Sequence, residues 1–245
     1  MSQVLRHAPS LHPVVAWFWL EARVPDFDIS PILDSWQFLA TGIGVTILLS
    51  ALSMAASLLF GTVLGVARVY GPRAMQISIT FYVDTMRSIP VLVVIVWIYF
   101  AVPILTGINF PPFWSALIAI TIHITASVVE IVRAGVESIR EGQCRAGLAL
   151  GMSWPQVIIK IVLPQAAIRM LPAIGSVLSV TIKDTAIASV IAVPEFMKRA
   201  ETVASQSYQP MEVFTFAIFV YFLLLFPTTR AVDFIYRRVA HLGRS

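Results

Sequence analysis

The chain has 245 residues, 58% of them hydrophobic and only 12% charged. Soluble domains carry roughly 25% charged residues, so this composition excludes an ordinary globular protein and indicates several membrane spans. A formal net charge of +4 needs no nucleic acid, because Lys and Arg gather in the cytoplasmic loops of membrane proteins, and the single cysteine, Cys144, excludes an internal disulfide framework.

Residues 1–35 read as an extracytoplasmic or interfacial arm. Leu11–Leu20 is apolar but too short to cross a bilayer, and His12, Pro13, Glu21 and Arg23 deny it the pattern of a cleavable leader. Trp17, Phe18 and Trp19 suit the membrane interface, and Asp26, Asp28 and Asp34 make a polar approach to the first span. Phe38–Ala67 carries no charge and is long enough to span with tilt. Its small residues, Ser57, Gly61 and Gly65 among them, let another helix approach closely. Arg68 to Arg73 forms a basic turn.

The second segment begins amphipathic near Ala74, with Asp84 and Arg87 spaced as an interfacial ion pair at its cytoplasmic start. It becomes apolar from Ser88 to Val102, and Pro90 predicts a kink. An uncharged turn holding Pro103, Gly107, Asn109, Pro111 and Pro112 leads to a third span, Phe113 to Val132. Ionisable groups at membrane depth are costly and face a cavity or a partner. Glu130 and Arg133 share a helix face, either as a structural pair or as part of a substrate route. Deeper on the same span, His123, Thr125 and Ser127 are open to two readings, local packing and backbone bonding or a pathway.

Glu141 to Gly151 is too polar to span and ends in a helix stop. Ser153 then has N-cap chemistry, with Gln156 at capping-box spacing and Pro155 in the first turn. Two short helices are expected, 138–150 and 154–162, joined by a bend. The small residues Ala146, Gly147 and Ala149 would let a partner's backbone approach; a connector lying on the membrane is the other reading.

A fourth segment, Pro164 to Val193, is irregular, interrupted by Arg169, Pro172, Gly175, Lys183 and Asp184. Lys183 and Asp184 would point about 100° apart on a helix. Either the helix breaks at Lys183-Asp184-Thr185 or one of the charges pairs across spans, which makes this region the leading substrate-path or gate candidate. Pro194–Tyr208 is polar and is expected outside the bilayer, and Val213–Thr229 forms a fifth span followed by Arg230, Arg237, Arg238 and Arg244. The Lys and Arg bias puts the ends of spans one, three and five in the cytoplasm, hence the N terminus outside and the C terminus inside. There is no phosphate-cradling Gly-rich loop with Lys, no His-Glu-x-x-His, no Gly-x-Ser-x-Gly and no metal-ligand spacing, so the chain itself has no visible means of using ATP.

Gly142 to Ser153 followed by Ile161-Val162-Leu163-Pro164-Gln165-Ala166 resembles the cytoplasmic coupling motif of ABC importer permeases. Arg87-Ser88-Ile89-Pro90, Trp97-x-Tyr99-Phe100-x-x-Pro103, Glu130-Ile131-Val132-Arg133-Ala134-Gly135 and Lys183-Asp184-Thr185 narrow the resemblance to the polar amino-acid branch, most like the glutamate/aspartate importers, over about residues 36–240. Residues 241–245 would be a cytoplasmic tail. The resemblance implies an all-α integral membrane fold with five transmembrane helices and a coupling-helix loop, the type I ABC importer transmembrane domain. In that family the loop docks into a cleft on the ATP-hydrolysing subunit. Gly142, Gln143, Arg145, Ala146, Gly147, Gly151 and Ser153 would belong to this contact. Many members carry Glu-Ala-Ala where this chain has Arg145-Ala146-Gly147, so an ion pair made by that acid elsewhere is in doubt here. The implied partners are an ATP-binding subunit, a second permease copy or paralogue, an extracytoplasmic solute-binding protein and an amino-acid substrate in a bacterial inner membrane. The chain is then no enzyme and binds no cofactor. A secondary transporter, which would need its own ion-coupling site, and a non-transporting membrane scaffold are the alternatives.

Overall fold

The computed structural model describes residues 27–239, and among these every regular element is a helix. Trp17, Phe18, Trp19, Asp26 and the tail 241–245 lie outside the described residues. A short helix α1 (Ser30–Asp34) precedes α2 (Trp36–Tyr70), which at 35 residues is far longer than a bilayer crossing needs. The next segment comprises α3 (Arg73–Ser88), α4 (Val91–Val96), a π-helical stretch Trp97–Ala101 and α5 (Val102–Thr106). Then come α6 (Pro112–Glu137), α7 (Glu141–Ala149), α8 (Trp154–Val157), a second π-helical stretch Ile158–Val162, α9 (Leu163–Ile187), a 3-10 turn Ala188–Ile191, α10 (Phe196–Ser207) and α11 (Pro210–Val239). Four of these helical runs are long and apolar enough to cross a membrane, and the bent pair Arg73–Ser88 with Val91–Thr106 makes a fifth.

The prolines act in two ways. At Pro90 the chain bends by 103°, because the ring clashes with the preceding residue and drives Ile89 into extended geometry, φ −100°, ψ 131°. Pro164, which in the sequence separates the short helix 154–162 from the fourth segment, does not interrupt the helix. The Leu163 N–H reaches back to Ile158 O in a π turn, and the helical run continues from Trp154 to Ile191. The wide turn accommodates a residue that cannot donate to the carbonyl four positions earlier. Pro103 is preceded by the same arrangement, Val102 N–H to Trp97 O. Nor does the helix break at Lys183-Asp184-Thr185: α9 runs through all three, since none of them is Gly or Pro, and it yields only at the 3-10 turn from Ala188.

Helix α6 is the axis of the bundle, with Ala116, Ala119, Ile120, Ile124, Val128, Val129 and Val132 buried. Helix α2 lies against it so closely that a Cβ on Gly61 or Gly65 would stand 2.5 or 2.6 Å from the side chains of Val128 and Val132. Ser57 Oγ donates to Thr121 O at 3.1 Å along the same seam. A second apolar cluster joins Leu39 of α2, Phe196, Ala200 and Val203 of α10, and Val213, Ala217 and Val220 of α11. Outside, Leu59, Phe60, Val63, Phe219, Phe222 and Leu223 are exposed, a surface suited to lipid rather than water.

Candidate functional site

Helix α7 ends in a Schellman motif. Gly151 takes a left-handed φ of +84°, its N–H donates to Leu148 O at 2.9 Å, and the Met152 N–H donates to Gly147 O at 3.1 Å. Helix α8 restarts at once, with the Ser153 N–H donating to Gln156 Oε1 at 2.9 Å, the reach-back half of the capping box. The bend is thus fixed by backbone bonds on one side and by a side-chain cap on the other. The N-terminal side is shorter than the sequence suggests: 138–140 form a turn and the helix begins at Glu141.

Helix α7 has two different faces. Gly147 is buried; a Cβ there would lie 2.8 Å from Ile161 Cδ1 and 3.1 Å from Val157 Cγ2, so its missing side chain serves packing within this chain. Leu148, Cys144 and Met152 pack on the same side. The opposite side presents Gly142, Arg145, Ala146, Ala149 and Leu150 to the surroundings, with Gly151 and Ser153 beyond, and Gln143 half-buried. Leu150 is 84% exposed. Arg145 pairs with Glu141 one turn back at 2.8 Å, an exposed pair of about 0.3–0.5 kcal/mol. Its charge therefore has a partner inside the loop. Tyr70 at the end of α2 sets its ring 5.9 Å from that of Trp154, and Arg169 of α9 donates to Ser138 O at 2.6 Å, so the loop is anchored to the spans on both sides.

Above the loop, Glu130 and Arg133 do pair, as their spacing predicts. The network is larger than the sequence indicates: Arg68 of α2 binds the other oxygen of Glu130, and Arg133 also reaches Glu137 at 2.5 Å. The signal for Arg68 was its place at the end of a charge-free span.

Asp84 and Arg87 form no ion pair among the described residues; both are exposed. The Tyr82 hydroxyl donates to Ile122 O at 2.6 Å near the middle of α6, so α3 packs on α6 one turn before Arg87 and the bend. The expected pair does not form: the two side chains share a face by spacing, but both turn to the surroundings. Lys183 likewise is exposed and Asp184 half-buried, again without an ion pair among the described residues, so the expected alternatives of a helix break or a cross-span pair are both replaced by an unbroken helix. Thr185 turns inward and donates to Ile182 O at 2.8 Å. His123 and Ser127 are half-buried, and His123 Nδ1 has no hydrogen-bond partner. Thr125 opens onto a crevice of about 670 Å³ walled by Leu59, Val63, Leu117 and Ile118, too apolar for a charged solute.

Fold and loop together define a multi-pass membrane permease component. A family described as binding-protein-dependent transport system inner membrane component matches residues 57–241. The glutamine transport system permease protein GlnP of Escherichia coli (strain K12) is 33% identical over 214 residues, covering 87% of this chain and 96% of that protein. The glutamate/aspartate import permease protein GltK of Escherichia coli O6:H1 is 32% identical over 222 residues, covering 88% and 99%. The crystal structure of an amino acid ABC transporter superposes with a TM-score of 0.79 at 26% identity, over 86% of this chain and 98% of that one. The inward-facing MetNI methionine ABC transporter shares the fold, with a TM-score of 0.73 at 18% identity over 84% and 98%. The chain belongs to the ABC importer permeases, in their polar amino-acid branch, as the transport component rather than an enzyme.

Proposed function

We propose that this chain carries an acidic or amide amino acid across the bacterial inner membrane by alternating access, driven by ATP that a separate subunit hydrolyses. The N terminus lies outside and the C terminus in the cytoplasm. A solute-binding protein delivers substrate to the outer face, and a second copy or paralogue of the chain completes the path. The chain itself binds no ATP.

One observation carries the coupling role. Helix α7 is fixed to its own chain through Gly147 and presents Gly142, Ala146, Ala149 and the 84% exposed Leu150 outward. A pre-ordered helix with small residues flanking an apolar anchor loses little entropy on docking and allows close backbone approach. A connector lying in the membrane interface would have no need of so rigid a mount.

The substrate class rests on a second observation. Arg87 and Asp84 ahead of the bend, and Lys183 and Asp184 on α9, are charges within apolar, span-length helical runs without ion-pair partners among the described residues. Such groups face water or a solute. Cations replace the hydration of a carboxylate and the aspartates that of an ammonium, which suits an amino acid. The relatives named for glutamine and for glutamate/aspartate agree with that chemistry.

The test is reconstitution with the cognate ATPase and binding protein in proteoliposomes. ATP-dependent uptake of glutamate, aspartate or glutamine, together with an ATPase that co-purifies, is the expected result. Uptake driven by an ion gradient without ATP, or hydrolysis by the pure chain, would overturn it.

A further inference from the structure

Glu195 lies at the end of the bundle opposite the loop, at the N-cap of α10, and is 0% exposed. Its Oε1 accepts from the Lys198 N–H at 2.7 Å, and its Oε2 from the Met197 N–H at 2.8 Å. Oε2 also faces the hydroxyls of Thr46 on α2 at 3.3 Å and Tyr221 on α11 at 3.5 Å. Thr46 Oγ1 in turn accepts from the Phe196 N–H at 3.1 Å. One carboxyl therefore joins α10 to two spans.

The charged groups nearby are engaged elsewhere. The Lys198 ammonium pairs with Glu201 at 3.3 Å, and Ser189 of the 3-10 turn also bonds Glu201, at 3.1 Å. Arg199 turns to Phe38 O at 2.8 Å, to Thr41 and to the Phe38 ring. From α2 and α11 the carboxyl meets hydroxyls, Tyr221 being the titratable one, while Glu201 repels its ionised form.

We infer that Glu195 is a proton-sensitive tie: protonated, it donates to Thr46 or Tyr221 and holds α10 to α2 and α11 without a buried charge; ionised, it keeps the cap bonds but carries an uncompensated charge that loosens α10 from the two spans. A carboxylate is a strong acceptor for two helix-start N–H groups, and a neutral carboxyl a weak one. Burial without a paired cation pushes the group up to about 7, against the N–H and Thr46 bonds that favour the charge. Both forms are then populated near neutrality, and either can be satisfied by rotation of the two hydroxyls. With the loop in the cytoplasm, as proposed above, this end meets the external medium, and the packing of α10 at the outer mouth follows external pH.

The experiment uses the full chain in lipid nanodiscs, titrated from about pH 5 to about pH 9. Infrared spectroscopy reads the protonated carboxyl band, and hydrogen exchange at Met197 and Lys198 is corrected for intrinsic rate. A band lost with a midpoint near neutrality, absent in Glu195→Gln, and amide exchange about tenfold faster on the alkaline side, after correction for intrinsic rate, are expected. Thr46→Val and Tyr221→Phe each remove a donor to the ionised form and should raise the midpoint, by about half a unit to one unit. A band that persists unchanged in Glu195→Gln, or midpoints that stay or fall in both donor variants, overturns the tie. If Glu195→Gln does not fold, the donor variants decide alone. Should the spectroscopic shifts appear while uptake in proteoliposomes responds only to pH on the loop side, the orientation fails and the tie stands.

Discussion

Gly147 and Ile161 are in contact across the bend of the coupling loop, so close that a Cβ on Gly147 would stand 2.8 Å from Ile161 Cδ1. The glycine that would seem to be kept small for a partner is kept small for its own chain. A bulky residue there damages the mount before any partner is involved.

Gly147→Leu should therefore destabilise the loop by about 1–3 kcal/mol through overpacking, outweighing its gain of up to about 1 kcal/mol in helix propensity. The clean probe of docking is Ala146→Leu, on the exposed face of the same helix. It should leave the melting temperature of the isolated chain unchanged and abolish ATPase co-purification. Normal ATPase binding by Ala146→Leu and by Leu150→Asp would remove the coupling surface from this face. Arg145→Glu would place a like charge one turn from Glu141, and weaker assembly with the native ATPase is expected in a pull-down.

Cys144 is half-buried and packs beneath the loop, so it reacts slowly even in opened membranes. A better reporter of sidedness is Ala149→Cys in a Cys144→Ala background, since Ala149 is exposed. An impermeant maleimide should miss it in intact cells, label it in inverted vesicles, and be excluded when the ATPase is bound. Labelling of intact cells would invert the topology.

Glu130 sits between two arginines, with Arg68 only 14% and itself 26% exposed. Glu130→Gln leaves Arg68 without its acidic partner at the end of α2 while Arg133 keeps Glu137, and a loss of about 1–3 kcal/mol, seen as a lower Tm in detergent, is expected. A double-mutant cycle with Arg68→Ala should return a coupling energy of about 1 kcal/mol or more. Additive effects would reduce the network to a surface pair.

Loss of one charge-assisted contact costs about 1.5–3 kcal/mol. Arg87→Ala and Lys183→Ala should then cut the efficiency of glutamate uptake on the order of ten- to a hundredfold, and Lys183→Ala should penalise a neutral analogue less. Equal losses for both solutes would mark Lys183 as structural.

Glu195 also leaves a mark on stability. Its folded value of about 7 lies above the ordinary 4.5, so the folded state holds a proton that the unfolded chain releases. Its contribution is fully present at acid pH and is lost as pH rises from about 4.5 to about 7. The Tm of the wild type should fall over that window relative to Glu195→Gln, whose neutral side chain carries no such slope. Parallel curves would mean that Glu195 does not titrate there.

The sequence by itself determined what depends on neighbouring residues. Charge-free runs of the right length marked the first and fifth spans, because an unpaired charge in hydrocarbon is costly. Gly151, Ser153 and Gln156 fixed the bend of the loop, because caps are bonds between residues a few positions apart. Three-residue spacing put Glu130 beside Arg133 for the same reason. What only the tertiary structure decided depends on segments far apart in the chain. Packing against Ile161 and Val157 chose which face of α7 turns inward, and packing of α3 on α6 through Tyr82 left Asp84 and Arg87 exposed ahead of the bend at Pro90. Glu195 reads in sequence as one more charge in a polar stretch. It becomes a buried carboxyl because Thr46, 149 positions earlier, and Tyr221, 26 positions later, close over it, and desolvation depends on who surrounds a group in space.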